Sequence, residues 1–91
     1  MHQKQGFDMD LRADLTRYIQ SKLLPQDDGP AIEPDTDVLR QGIIDSLGVF
    51  QVVSFLEEKC GIRIDDSEIT VDHFQSIDAM AQFASRKMQQ S

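Results

Sequence analysis

The spacing of apolar residues near the start of the chain predicts an amphipathic helix. From Asp8 or Asp10, either of which is a suitable N-cap, an apolar residue recurs at every fourth position. Pro25 is expected to end this helix, because proline pushes the preceding residue out of the helical region. Residues 1–7 have no apolar period and are predicted to form a flexible tail. The repeating positions are Leu11, Leu15, Ile19 and Leu23, with Tyr18 on the same side.

Two further helices are predicted, from Ser46 to about Lys59 and from about Ser76 to Met88, and Gly61 is expected to stop the first of these. The apolar residues of the Ser46 helix cover more than half of its circumference, so it is either packed on two sides or partly exposed for a partner. These residues are Leu47, Val49, Phe50, Val52, Val53, Phe55 and Leu56. The last helix carries Ile77, Met80, Ala81, Ala84 and Met88 on one face, with Phe83 at its edge. Leu56 and Ile77 are expected in the core.

The segments between the helices are predicted to be loops with one short helical turn. Residues 26–37 contain two prolines and no apolar period, which is typical of a long loop, and residues 65–70 can form one helical turn. The fold class is therefore all-α, a small four-helix bundle of three longer helices and one short helix, with a long loop after the first. Residues 8–91 are expected to form a single domain. The residues expected to pin the loop to the core are Val38, Leu39, Ile43 and Ile44.

Negative charge is concentrated in the middle of the chain. Residues 33–72 hold ten acids and three bases, a difference equal to the net charge of −7. Such a segment repels nucleic acid and anionic lipid, so neither is an expected partner. It would attract a partner with a basic surface, although solubility accounts for the acids equally well. The chain has no apolar run of membrane-spanning length and no N-terminal targeting pattern, so we expect a cytoplasmic protein.

Few residues are candidates for chemistry. Cys60 is the single cysteine and lies in an apolar segment, which favours a buried, inert thiol over a reactive one. His2 and His73 have no neighbouring ligand set, so no metal site is predicted. Ser46 directly precedes an apolar helix, and a serine in that position is ordinarily an N-cap.

The start of a helix also suits a phosphorylated serine. Its unpaired N–H groups and positive dipole end would stabilise a phosphate esterified to the Ser46 hydroxyl. Catalysis by Ser46 has little support, because no histidine is placed to act as its base. A helical interaction module without a prosthetic group remains an alternative, and a serine hydrolase is a remote one.

Four segments of the chain resemble the acyl carrier protein family, which includes peptidyl and aminoacyl carriers. Residues 42–48, Gly-Ile-Ile-Asp-Ser-Leu-Gly, are similar to the family's attachment motif. Residues 34–39 resemble the loop that leads to the serine, and residues 55–64 follow it at the family's usual offset. Residues 73–80 resemble the opening of the last helix. The four segments occur in the correct order, and the resemblance covers about residues 9–88.

This resemblance implies a non-catalytic carrier that is a substrate of other enzymes. Ser46 would receive 4'-phosphopantetheine from coenzyme A through a phosphopantetheinyl transferase, and the arm would hold an acyl or aminoacyl group as a thioester. Asp45 and Leu47 resemble the family's contacts for the transferase, and the carrier would be a monomer. Downstream acyl-transfer enzymes would meet the helix face with Phe50, Gln51 and Ser54. The acids expected to face basic partner surfaces are Glu57, Glu58, Asp65, Asp66 and Glu68.

The sequence departs from carriers of bulk fatty-acid synthesis at two positions. Those carriers usually have acids two and five residues after the serine, where this chain has Gly48 and Gln51. Cys60 also replaces a common aromatic residue. We therefore expect a discrete carrier of a polyketide, nonribosomal peptide or aminoacyl-transfer pathway, loaded by an adenylating acyl or aminoacyl ligase. A fatty-acid synthesis carrier is the alternative.

Overall fold

The computed structural model describes residues 4–23 and 32–90, and this part of the chain is helical without a strand. It contains α1 (Lys4–Tyr18), α2 (Ser46–Cys60), α3 (Val71–Phe74) and α4 (Ile77–Gln90). The predicted all-α bundle of three longer helices and one short helix is confirmed. Within these described ranges, no helix is long and apolar enough to cross a membrane.

Helix α1 begins earlier than its apolar pattern indicates. It starts at Lys4, so Asp8 and Asp10 lie inside the helix and the predicted start is wrong. Lysine and glutamine favour helix by their intrinsic propensity, so a helix can start here without an apolar repeat. After Tyr18 the chain continues as a π-helical turn, Ile19–Leu23. The predicted stop at Pro25 and the first part of the loop lie outside the described residues, and the division into a tail and one domain stays a prediction.

One apolar core joins all four helices. Leu56 of α2 and Ile77 of α4 are fully buried, as predicted, and the core contains no buried polar or charged side chain among the described residues. Phe83 is also buried rather than at an edge, because it packs edge-on against Phe74 at 5.7 Å. Helix α1 packs on α4, and Arg12 and Asp78 add an ion pair of 2.6 Å between them. The remaining buried apolar residues include Leu11, Leu15, Ile19, Val52, Val53, Met80, Ala81 and Ala84.

The loop before α2 is fixed at its far end, as predicted. Val38 and Ile44 are buried, while Leu39 and Ile43 pack against the core as partly buried residues. The Val38 N–H donates to the carbonyl of Gln75 at 2.8 Å, so the loop is tied to the junction between α3 and α4. A second tie joins the Asp78 N–H to the Pro34 carbonyl at 2.9 Å. These two hydrogen bonds fix the position of the loop that leads to the start of α2.

The helical turn predicted within residues 65–70 is present as a 3₁₀ turn, Asp66–Glu68. The short helix α3, which follows it and is capped by the Thr70 side chain, was not predicted. Four helical residues are too few to show an apolar period, which is why the pattern missed α3. Helix α3 is held against α4, because the His73 ring stacks on Phe83 with centroids 4.2 Å apart.

Candidate functional site

Helix α2 is capped by Asp45. The Asp45 backbone is extended, its carboxylate accepts a hydrogen bond from the Gly48 N–H at 3.0 Å, and its carbonyl accepts from the Val49 N–H at 2.9 Å. Ser46, which the sequence pattern placed at the cap, is the first helical residue instead. That assignment was wrong because aspartate and serine cap about equally well and here stand next to each other.

The Ser46 side chain is exposed at this helix start. Its hydroxyl makes no hydrogen bond to any residue that the structure describes, because the capping role has passed to Asp45. The positive end of the helix dipole and the first-turn N–H groups lie beside the hydroxyl. Ser46 is therefore accessible to another protein, and its surroundings favour an attached anion.

An apolar groove opens beside Ser46 between α2 and α3. It has a volume of about 370 Å³ and is lined by residues from α2, from α3 and from the loop before α2. Ser46 and Thr70 supply hydroxyls to its lining. The other lining residues are apolar: Leu39, Val49, Phe50, Ile69, Val71 and Phe74.

A more polar cleft of about 390 Å³ flanks the same helix start. Lys22, at the end of the π-helical turn, lines it together with Asp45 and Gln51. Gly48 also lines this cleft, so positions 48 and 51 meet there. Ser46 thus lies between an apolar groove and a polar cleft.

The family model described as the phosphopantetheine attachment site matches residues 13–84. The chain belongs to this family, the acyl carrier protein family. A search among curated proteins found no match. Domains of this family carry covalently attached 4'-phosphopantetheine, so the chain is a phosphopantetheine-carrying carrier protein. Carrier domains are generally substrates of partner enzymes such as phosphopantetheinyl transferases.

The start of α2 in this carrier protein fits the prosthetic group. Formation of a phosphodiester requires an accessible hydroxyl, and a carboxylate beside the phosphate would repel it. The Asp45 carboxylate instead accepts a hydrogen bond from the Gly48 N–H. The exposed Ser46 side chain meets this requirement and leaves room for an arm to extend away from the domain.

One face of α2 projects away from the carrier's core. Leu47 and Phe50 are 66% and 54% exposed, and Gln51, Ser54 and Glu58 continue the exposed face at helical spacing. Val49, Val52, Val53 and Leu56 are buried. The large apolar surface of this helix is therefore split between core and solvent, which was one of the two predicted arrangements.

The five acids predicted to face partners have different surroundings. Glu57 accepts a hydrogen bond from the Ile64 N–H at 2.9 Å, and Glu68 binds the Lys87 ammonium at 2.9 and 3.0 Å. A hydrogen bond from the Asp65 backbone N–H and the contact with Lys87 lower the pKa of Glu68. These two carboxylates therefore hold the α2–α3 link within the domain. The exposed acids of this group are Glu58, Asp65 and Asp66.

The remaining candidates take no part in this site. Cys60 is half-buried at the end of α2, and burial raises the pKa of its thiol, which favours the inert form. The His73 ring nitrogen Nδ1 lies 2.9 Å from the Glu68 carbonyl, which only accepts, so Nδ1 carries the proton. His2 lies outside the described residues. Within residues 4–23 and 32–90, no three potential ligands are grouped for a metal.

Val71 is the surface residue that the sequence analysis missed. It is 62% exposed, and it lines the apolar groove opposite α2. No periodic pattern identifies it, because α3 is a single turn. An isolated valine between two predicted helices carries no indication of exposure.

Proposed function

We propose that Ser46 is the residue of this carrier that receives 4'-phosphopantetheine. The observation that supports it is that the Ser46 side chain is exposed and its hydroxyl makes no capping bond, because Asp45 caps the start of α2. When attached, the arm supplies a terminal thiol that holds an acyl or aminoacyl cargo as a thioester. The chain itself would act as a monomeric, non-enzymatic carrier: its residues present the hydroxyl, orient the arm and recognise partner enzymes.

Intact-mass analysis tests this assignment. Incubation with coenzyme A, Mg²⁺ and a broad-specificity phosphopantetheinyl transferase should add one phosphopantetheine to the wild type and none to Ser46→Ala. Ser54→Ala is a matched control, because Ser54 is also exposed on α2 and should not be needed. Modification of Ser46→Ala, or a wild type that takes up no group, would refute the proposal. The latter outcome favours an interaction module without a prosthetic group.

We also propose that this carrier serves a specialised pathway and is loaded by an adenylating ligase. Gly48 and Gln51 give the cleft beside Ser46 no carboxylate at two positions where fatty-acid synthesis enzymes ordinarily find one. Exposed ion pairs contribute about 0–1 kcal/mol each, so their loss weakens such recognition. Phe50 offers an apolar contact nearby instead. The cargo would be an acyl or aminoacyl group of polyketide, nonribosomal peptide or aminoacyl-transfer chemistry.

Competition between loading enzymes tests the pathway. The phosphopantetheine form should be a poor substrate for a malonyl transferase of fatty-acid synthesis and a better one for an adenylating ligase with its cognate acid. Gln51→Glu, at an exposed position of the cleft, should raise acceptance by the malonyl transferase. Efficient malonylation of the wild type, followed by full elongation cycles, would establish a fatty-acid carrier and overturn this assignment.

A further inference from the structure

Lys22 supplies a positive charge to the polar cleft beside the start of α2. It is exposed near the end of the π-helical turn and lines the cleft together with the first turns of α2. Lys59 and Lys87 each bind a carboxylate, at 2.8 and 2.9 Å, whereas Lys22 makes no ion pair with a residue that the structure describes. Its ammonium group is therefore available to an anion that enters the cleft.

The rest of the cleft carries little negative charge. Asp45 is the one carboxylate among the described lining residues, and it accepts a hydrogen bond from the Gly48 N–H. Two positions where fatty-acid synthesis carriers usually have acids are Gly48 and Gln51 here, and both line this cleft. Acids at these positions would repel an anion, whereas the present lining admits one.

The loop that forms one wall of the cleft is held in place by its own hydrogen bonds. The N–H groups of Ile43 and Ile44 both donate to the Val38 carbonyl, at 2.8 and 3.1 Å. The Gly42 N–H donates to the Leu39 carbonyl at 3.1 Å. Ile43 is only partly buried, so it adds apolar surface beside the polar groups of the cleft. A preformed cleft lowers the ordering cost of binding.

We propose that Lys22 binds the phosphodiester of the attached arm, and that the polar cleft holds the pantetheine portion while no partner enzyme is bound. The inference rests on the proposed function, because it requires attachment at Ser46, which lies between the cleft and the apolar groove. The phosphodiester is an anion, and the pantetheine portion has amides, a hydroxyl and methyl groups. Lys22, the Gln51 amide and Ile43 offer matching partners. The described lining of the apolar groove offers no cation.

Isotope-filtered nuclear Overhauser spectra of the phosphopantetheine form test where the arm lies. With a labelled protein and an unlabelled arm, the methyl protons of the arm should show contacts to Ile43 and Gln51 in the cleft. Contacts to Phe50 or Val71 instead would place the arm in the apolar groove. Contacts to neither side would mean that the arm extends into solvent. Either of these two results would overturn the inference.

Charge variants test the part that Lys22 plays. In Lys22→Gln, the ratio of cleft-bound to solvent-exposed arm should fall by about two- to fivefold, the effect of one exposed ion pair. The change in the Gln51 amide signal on modification reports this ratio, with each variant compared with its own unmodified form. Lys22→Arg should keep the ratio, and added salt should lower it in the wild type. Arg63→Gln removes an equal charge beyond the far end of α2 and is the control.

The outcomes separate this inference from the proposed function. A wild type that gains no phosphopantetheine at Ser46 refutes the proposed function itself. A fully modified wild type whose arm contacts the apolar groove or only solvent refutes the cleft alone. An arm that contacts the cleft equally in the wild type and in Lys22→Gln refutes the ion pair.

Discussion

Two neighbouring residues at the start of α2 have separate tasks. Asp45 uses its carboxylate and carbonyl to satisfy the first N–H groups of the helix, whereas the Ser46 side chain projects into solvent. A residue that carried both tasks would have to give up its capping bond when modified. The separation predicts that changes at position 45 lower stability, whereas changes at position 46 leave it nearly unchanged.

The stabilities of three variants test this separation. Asp45→Ala should lower the free energy of unfolding by about 0.5–2 kcal/mol, the usual effect of a lost N-cap. Asp45→Asn should retain most of it, because an amide oxygen also accepts from the Gly48 N–H. Ser46→Ala should stay within about 0.5 kcal/mol of the wild type, as an exposed substitution does. Chemical denaturation measures all three, and a larger loss in Ser46→Ala than in Asp45→Ala would contradict the capping assignment.

The residue scale also shows what the sequence could and could not predict. The motif at residues 42–48 was enough to predict the family, because residue type and order carry that information, whereas attachment at Ser46 stays a prediction. Which of two adjacent capping residues closes the helix depends on a one-residue shift of the helix start. The sequence does not decide between them, because aspartate and serine cap about equally well.

At the scale of elements, α3 depends on α4 for its position. Glu68 accepts hydrogen bonds from the Asp65 N–H and from Lys87, so its ionised form is favoured in the folded protein and its pKa is lowered from 4.5. A lowered folded pKa adds stability above the unfolded value, and that stability is lost as the pH falls through the folded pKa. The anchoring of α3 is therefore sensitive to acid.

Glu68→Gln should reveal this dependence. Near neutral pH the variant should unfold more easily than the wild type, and the difference should shrink towards zero once the pH is below the folded pKa. Denaturation curves across that range measure the effect. Glu58→Gln is the control, because Glu58 is exposed on α2. If the difference in unfolding free energy between the wild type and Glu68→Gln did not depend on pH, the electrostatic anchoring of α3 would be contradicted.

Packing between elements gives a second prediction. Leu56→Ala and Ile77→Ala should each lower the free energy of unfolding by about 2–5 kcal/mol, because each leaves a cavity in a fully buried core. Gln82→Ala, exposed on α4, should change it by less than about 0.5 kcal/mol. Thermal and chemical denaturation measure these losses. Near-parental melting of both core variants would mean that the helices pack differently.

Helix length decided which elements were predictable. Helices α2 and α4 are fourteen or fifteen residues long, and their apolar period and the Gly61 stop fixed them to within two residues. Helix α3 has four residues and owes its position to contacts with α4 that are distant in sequence. The start of α1 escaped prediction because residues 4–7 have no apolar period in the sequence.

At the scale of the whole molecule, negative charge should steer partners to the Ser46 side. Glu58→Lys with Asp66→Lys should slow transferase modification several-fold and up to about tenfold, because exposed ion pairs contribute about 0–1 kcal/mol each. Glu33→Lys with Asp35→Lys changes the net charge equally on exposed loop residues and should matter less. The effect should fade as salt is raised. If both pairs of substitutions slowed modification equally, or if the rates did not depend on salt concentration, the acids would serve only solubility.

The packing of α1 on α4 has a consequence for synthesis of the chain. Helix α4 follows α1 and α2 in the chain, so the core around Leu11 and Leu15 is incomplete until α4 has been synthesised. The attachment motif is synthesised before α4, when α2 has no complete core to pack against. A transferase that recognises the folded start of α2 therefore acts only after α4 is made. Priming of Ser46 would then mark chains whose folding is complete, and truncated products would stay unprimed.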